Sequence, residues 1–211
     1  MSPSENDPFY GRLGFGQRMA VVLVDLSQAY FSSGSPLNTE RPEVMDHCRE
    51  LLAFAREYGV PIWWTRVEIP ADSRSVFRRK VPALAAFAPG HPMGEWLPGL
   101  RPAAGEGVVT KAGASAFFGT PLAAELETAG VDTLVLGGVS TSGCVRATAL
   151  DACQHDLIPV VVPELCGDRD AAAHAQALHD LDAKYADVVP LSDVLDAMRR
   201  LRPARASLGA D

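Results

Sequence analysis

A three-layer α/β fold, with helices on both faces of a parallel sheet of about six strands, is what this sequence predicts. Three observations carry the prediction. Short β-branched apolar runs recur without polar alternation, as strands buried on both faces require. Segments with helical spacing of apolar residues fall between several of those runs. A chain of 211 residues, 47% apolar and 21% charged, is also long enough to bury one sizeable core and lies within the range of a single domain.

The elements follow in order. Ala20-Val-Val-Leu-Val-Asp25 reads as the first strand, 42–58 as a helix, and Val60-Pro-Ile-Trp-Trp-Thr65 as the second strand. Segment 68–106 is rich in Pro and Gly and reads as a long excursion with some helix, of a length that usually covers a site. Gly107-Val-Val-Thr110 is the third strand, 121–129 a helix, Thr133-Leu-Val-Leu-Gly137 the fourth strand, and 144–154 a helix. Leu157-Ile-Pro-Val-Val-Val162 is the fifth strand and Asp187-Val-Val189 a short sixth, with helices expected over 171–185 and 192–201. Residues 1–18 form an N-terminal arm, 19–201 the single domain, and 202–211 a tail expected to be disordered.

A formal charge of -7 and a pI near 5.2 give no general attraction to phosphate backbones or anionic lipid. Nucleic acid and membrane surfaces are therefore excluded as expected partners, and a small molecule or another copy of the chain is favoured. The first residues lack the basic start and apolar core of a signal peptide, and no apolar run approaches the ~20 residues of a membrane span, so a cytoplasmic address is expected. Cys48, Cys144, Cys153 and Cys166 form no CxxC pair and are read as separate thiols.

Ligands of open parallel sheets bind beyond the carboxyl ends of the strands, which directs attention to Asp25, Lys111 and Cys144. Asp25 interrupts an apolar strand, where an unpaired carboxylate is costly; it caps nearby amides or serves chemistry. Lys111 is either a solvated strand-end lysine or the partner of that carboxylate. Cys144 follows a glycine-rich turn and precedes a helical segment, so backbone amides at the helix start and a nearby lysine are expected to favour its thiolate. The other three cysteines read as small buried hydrophobes.

Asp25 at the end of the first strand, Lys111 within Thr110-Lys-Ala-Gly-Ala-Ser-Ala-Phe-Phe-Gly-Thr120, and Gly138-Val-Ser-Thr-Ser-Gly-Cys-Val-Arg146 together resemble the signature of the isochorismatase-like cysteine hydrolases. Ser115-Ala-Phe-Phe-Gly-Thr120 and Glu164-Leu-Cys-Gly-Asp-Arg169 are similar to the N-carbamoylsarcosine amidase and maleamate amidohydrolase branch. The resemblance implies a Rossmann-like α/β/α fold and an amidohydrolase that cleaves a linear amide or N-carbamoyl group of a small carboxylic acid, releasing ammonia through a thioester. It implies that Asp25 takes the thiol proton, Lys111 stabilises the charged pair and Cys144 attacks. The main-chain amides of Ser140 and Cys144 are then the oxyanion hole, with a cis peptide between Val139 and Ser140.

Arg169 matches the acid-recognising arginine of the family, and its guanidinium suits a carboxylate; a surface pair with Asp168 or Asp170 is the alternative. Thr141 matches a polar substrate contact. Tyr30, Phe31, Trp96, Phe117 and Phe118 are candidates for an apolar wall, although each also fits ordinary core. Relatives often carry a bulkier residue at Gly113, which suggests a roomier pocket here. No cofactor and no metal are expected: His174 and His179 lie about 140° apart on a helix, the other histidines are scattered, and Glu68 to Arg74 offers no histidine of the kind a nicotinamidase uses. Relatives form dimers or tetramers, which implies a homo-oligomer and most simply a tetramer. Two rivals remain at this stage, a vinyl ether hydrolase of the isochorismatase type and a non-catalytic ligand-binding oligomer.

Overall fold

The structure, a computed structural model, describes residues 8–201. Its elements are β1 (Met19–Val24), α1 (Glu43–Tyr58), β2 (Ile62–Val67), α2 (Val76–Lys80), β3 (Gly107–Lys111), α3 (Leu122–Thr128), β4 (Thr133–Val139), α4 (Arg146–Gln154), β5 (Ile158–Gly167), α5 (Ala171–Lys184), β6 (Asp187–Val188) and α6 (Leu191–Leu201). The strands pair in parallel in the order β3-β2-β1-β4-β5-β6.

All six residues of β1 are buried, which explains the absence of polar alternation. Val21 and Leu23 face a core built with Leu51 and Leu52 of α1 and Val194 and Met198 of α6. Ala20, Val22 and Val24 face the opposite core with Leu122 and Leu126 of α3, Ala149 of α4 and Leu181 of α5. Each large aliphatic side chain withdrawn from water in this way contributes roughly 1.5–3 kcal/mol before the entropy of ordering is counted.

Three of the boundaries that differ from the sequence expectation do so for a clear physical reason. β2 begins at Ile62, two residues late, because Gly59 closes α1 in the left-handed conformation (φ 69°) and Val60 N–H bonds back to Ala55 O at 2.8 Å. β5 continues through Pro163 to Gly167, resuming its pairing with β4 after a register shift between Leu136 and Gly138. The helix expected to begin at Cys144 is preceded by a wider π-type turn, Thr141–Val145, and α4 starts at Arg146.

The excursion after β2 holds α2 and two short 3-10 turns, Pro82–Phe87 and Pro92–Gly94. Leu84 and Phe87 anchor it in a third apolar cluster with Tyr30, Ile69 and Val139. The described part of the N-terminal arm is tied down by bonds from Leu13 and Gly14 amides to Asp187, and from Gly16 to the Thr133 hydroxyl. The C-terminal tail, 202–211, lies outside the described residues. Strand order reverses between β1 and β4, so the crevice beyond their carboxyl ends is where this topology places a ligand.

Candidate active site

Gly138 lets β4 run against β1 at that reversal. Its φ is +123°, and a Cβ there would lie 2.0 Å from Val24 O, so only glycine fits. The close approach brings the end of β1 beside the turn that follows β4.

Asp25 leaves β1 in the left-handed region (φ 54°), which Asp tolerates better than most residues. Its carboxylate is 1% exposed. Oδ1 accepts a bond from the Thr65 hydroxyl of β2 at 2.6 Å, the Asp25 amide donates to the same Thr65 oxygen at 3.1 Å, and Lys111 Nζ lies 2.7 Å from Oδ2. Lys111, at the end of β3, also donates to Gly113 O at 3.1 Å and Ala114 O at 2.8 Å, so its ammonium has three acceptors. The ammonium and Asp25 Oδ1 have their hydrogen bonds met this way, while Oδ2 is held by the ion pair alone. Burial works against the Lys111 charge, but Asp25 and Cys144 outweigh it and raise the Lys111 pKa.

Cys144 is 4% exposed in the π-type turn, near enough to Asp25 and Lys111 for both to act on its thiol. Its acidity differs from the sequence expectation. Burial, reinforced by the Asp25 charge and opposed by Lys111, pushes the thiol up to about 12, so the resting group is a neutral thiol. The turn is braced on two sides: Asp168 accepts bonds from the Ser142 amide at 2.8 Å and hydroxyl at 2.7 Å, and the Thr141 hydroxyl meets His174 Nδ1 at 2.8 Å. The Val139–Ser140 peptide is cis.

Cys144 opens into a cavity of about 290 Å³ that Ser140, Ser142, Gly143, Asp168 and Arg169 also line. Arg169 is exposed at its rim. Asp170 caps α5, accepting from the Ala172 and Ala173 amides at 2.8 and 3.1 Å. Of the five aromatic candidates, Tyr30 alone is among the lining residues; its phenol is held well above the ordinary value, chiefly by burial.

The other four aromatics sit elsewhere. Phe117 stacks on His155 at 5.0 Å and Phe118 is 74% exposed. Trp96 packs edge-on to Trp64, and Phe31 lies between two apolar clusters. Thr141 is fully buried with its hydroxyl turned to His174 of α5. Gly113 is not a lining residue; its carbonyl holds Lys111, and a Cβ there would meet Phe118 at 3.3 Å.

Sequence reasoning missed Thr65, Ser142 and His174, whose residue types are too common to signal a role. It also missed Leu37, Phe77, Val81 and Leu84, lining residues that the loop after β1 and the excursion supply. Among the described residues no three His, Cys, Asp or Glu side chains gather as a metal ion would need.

Comparison with known proteins gives relatives along most of the chain. Maleamate amidohydrolase of Pseudomonas putida is 41% identical over 90% of this chain and 91% of its own length. N-carbamoylsarcosine amidase of Arthrobacter sp. is 31% identical over 92% of this chain and 76% of its own. The crystal structure of an isochorismatase family protein from Desulfovibrio vulgaris superposes with a TM-score of 0.80 at 29% identity, covering 88% of this chain and all of that one. With the isochorismatase domain profile matching residues 19–193, the six-stranded α/β scaffold and the Asp25, Lys111 and Cys144 cluster sit in a hydrolase chain that belongs to the isochorismatase family.

Proposed function

We propose that this protein is a cysteine-dependent amidohydrolase that cleaves a linear amide or N-carbamoyl group of a small carboxylic acid and releases ammonia. The observation that carries the reading is a buried thiol beside a buried carboxylate–ammonium pair, opening into a cavity with an arginine at its rim. The activities named for the relatives at 41% and 31% identity support the same bond type.

The neutral thiol needs a base at the moment of attack, and Asp25 is the carboxylate beside it. As sulfur bonds to the amide carbon, the thiol proton passes to Asp25 and Lys111 offsets the negative charge that develops. We assign the oxyanion to the main-chain amides of Ser140 and Cys144, as the resemblance to the family implies. Collapse breaks the carbon–nitrogen bond, and the proton held by Asp25 leaves with ammonia. Water then attacks the thioester with Asp25 as base, giving the acid and restoring the thiol.

Arg169 supplies a cation for the substrate carboxylate. Arg169→Ala is expected to raise KM for an acid substrate at least about tenfold while changing the rate on its neutral amide analogue little; equal losses on both would remove that role. The working form is proposed to be a homo-oligomer, with a tetramer as the specific expectation and the cytoplasm as its location. Ammonia release from maleamate and N-carbamoyl amino acids, measured by a coupled dehydrogenase assay, tests the function. Turnover of isochorismate with no amide hydrolysed would overturn it.

A further inference from the structure

The cavity that Cys144 opens into is divided in character. Its polar lining, Ser140, Ser142, Asp168, Arg169 and Asp170, belongs to the cysteine turn and the residues after β5, with Thr39 from the loop after β1 beside them. Its apolar lining comes from two other segments: Tyr30 and Leu37 after β1, and Phe77, Val81 and Leu84 from the excursion. Leu84 and Tyr30 are buried, whereas Leu37, Phe77 and Val81 are only half-buried although all three pack on the same apolar cluster. In α2 the apolar Phe77 lines the cavity, and Arg79 and Lys80 are exposed. Apolar surface left wet in a concave site is surface that a ligand gains by covering.

The geometry points to a substrate whose amide and carboxylate are joined through an apolar, ring-sized body, preferred over a bare two-carbon linker. The inference rests on the amidase reading above and extends it to the part of the substrate that does not react. A two-carbon linker satisfies the cysteine turn and Arg169 but leaves Phe77, Val81 and Leu37 in contact with water. A ring carrying the two groups on adjacent carbons keeps the same spacing and covers that wall. The cavity, about 290 Å³, is close to the roughly 300–1,000 Å³ of sites that take drug-sized ligands. Added apolar contact in such a site discriminates by about 10–200-fold per methylene-sized group.

Phthalamate and maleamate make the comparison, since both hold amide and carboxylate cis across two carbons and differ by the ring. We expect kcat/KM for phthalamate to exceed that for maleamate by at least about tenfold, and Phe77→Ala, at a half-buried position, to narrow the ratio. Equal or lower kcat/KM for phthalamate would overturn the inference while leaving the amidase reading intact. Calorimetry on Cys144→Ser protein with the product acids separates the two claims. Phthalate binding at least about tenfold tighter than maleate supports the apolar wall even if neither amide is turned over, and equal or weaker binding refutes it.

Discussion

Removing either end of the Asp25 and Lys111 pair leaves a buried charge without its partner. Asp25→Asn should therefore do two things at once: lower kcat by about 10²–10⁴-fold, the usual contribution of a positioned base, and destabilise the fold by about 3–5 kcal/mol in urea titration. Loss of activity with unchanged stability would argue that the pair is weaker than its 2.7 Å contact implies. The thiol gives a pH test. An ordinary thiol titrates near 9.0, and this one is pushed up to about 12. The native state thus holds the proton more tightly than the unfolded chain, so this contribution to stability is full below pH 9.0 and is lost as the pH rises toward 12. The thiolate absorbance difference between wild type and Cys144→Ser should show no step between about pH 6 and pH 9; a step near neutrality would mean that Lys111 dominates over burial.

The element that decides reactivity is the turn between β4 and α4, and its two braces come from β5 and α5. Asp168→Ala strips partners from the Ser142 amide and hydroxyl, a loss of about 1–3 kcal/mol, and should lower kcat more than it raises KM, because it frees the turn that carries the nucleophile. Thr141→Val and His174→Ala should each give a similar kcat loss, and the double variant should lose no more than the worse single one, as expected for one shared contact; fully additive losses would show that the contact is not shared. The six strands and the positions of Asp25, Lys111 and Cys144 at their ends were legible in the sequence because each chemical residue terminates or follows an apolar run, whereas the order of the strands in the sheet was not. The braces were not, since Thr141 to His174 and Ser142 to Asp168 join residues 33 and 26 positions apart. The turn before α4 escaped notice because glycine and small hydroxyl residues suit an ordinary helix start as well as a π-type one. The acidity of Cys144 was misjudged for a related reason: local sequence shows the helix amides but not the depth of burial.

At the scale of the whole molecule, the sheet places residues from β1, β3 and the β4 turn beside one another, and the long excursion supplies much of the cavity wall. The two segments were separable in sequence by composition, yet which aromatics face the cavity depends on packing, and four of the five candidates sit elsewhere. Assembly belongs to this scale as well. Light scattering is expected to give a mass near four times the 22.5 kDa of the chain, and a monomeric mass would contradict the proposed tetramer. The central claim is that Cys144 is the nucleophile of an amide hydrolysis. Ammonia release from maleamate by wild type and by Cys144→Ser tests it most directly: a fall of at least about 10³-fold with the fold retained is the predicted result, and substantial residual turnover by the serine variant would contradict it.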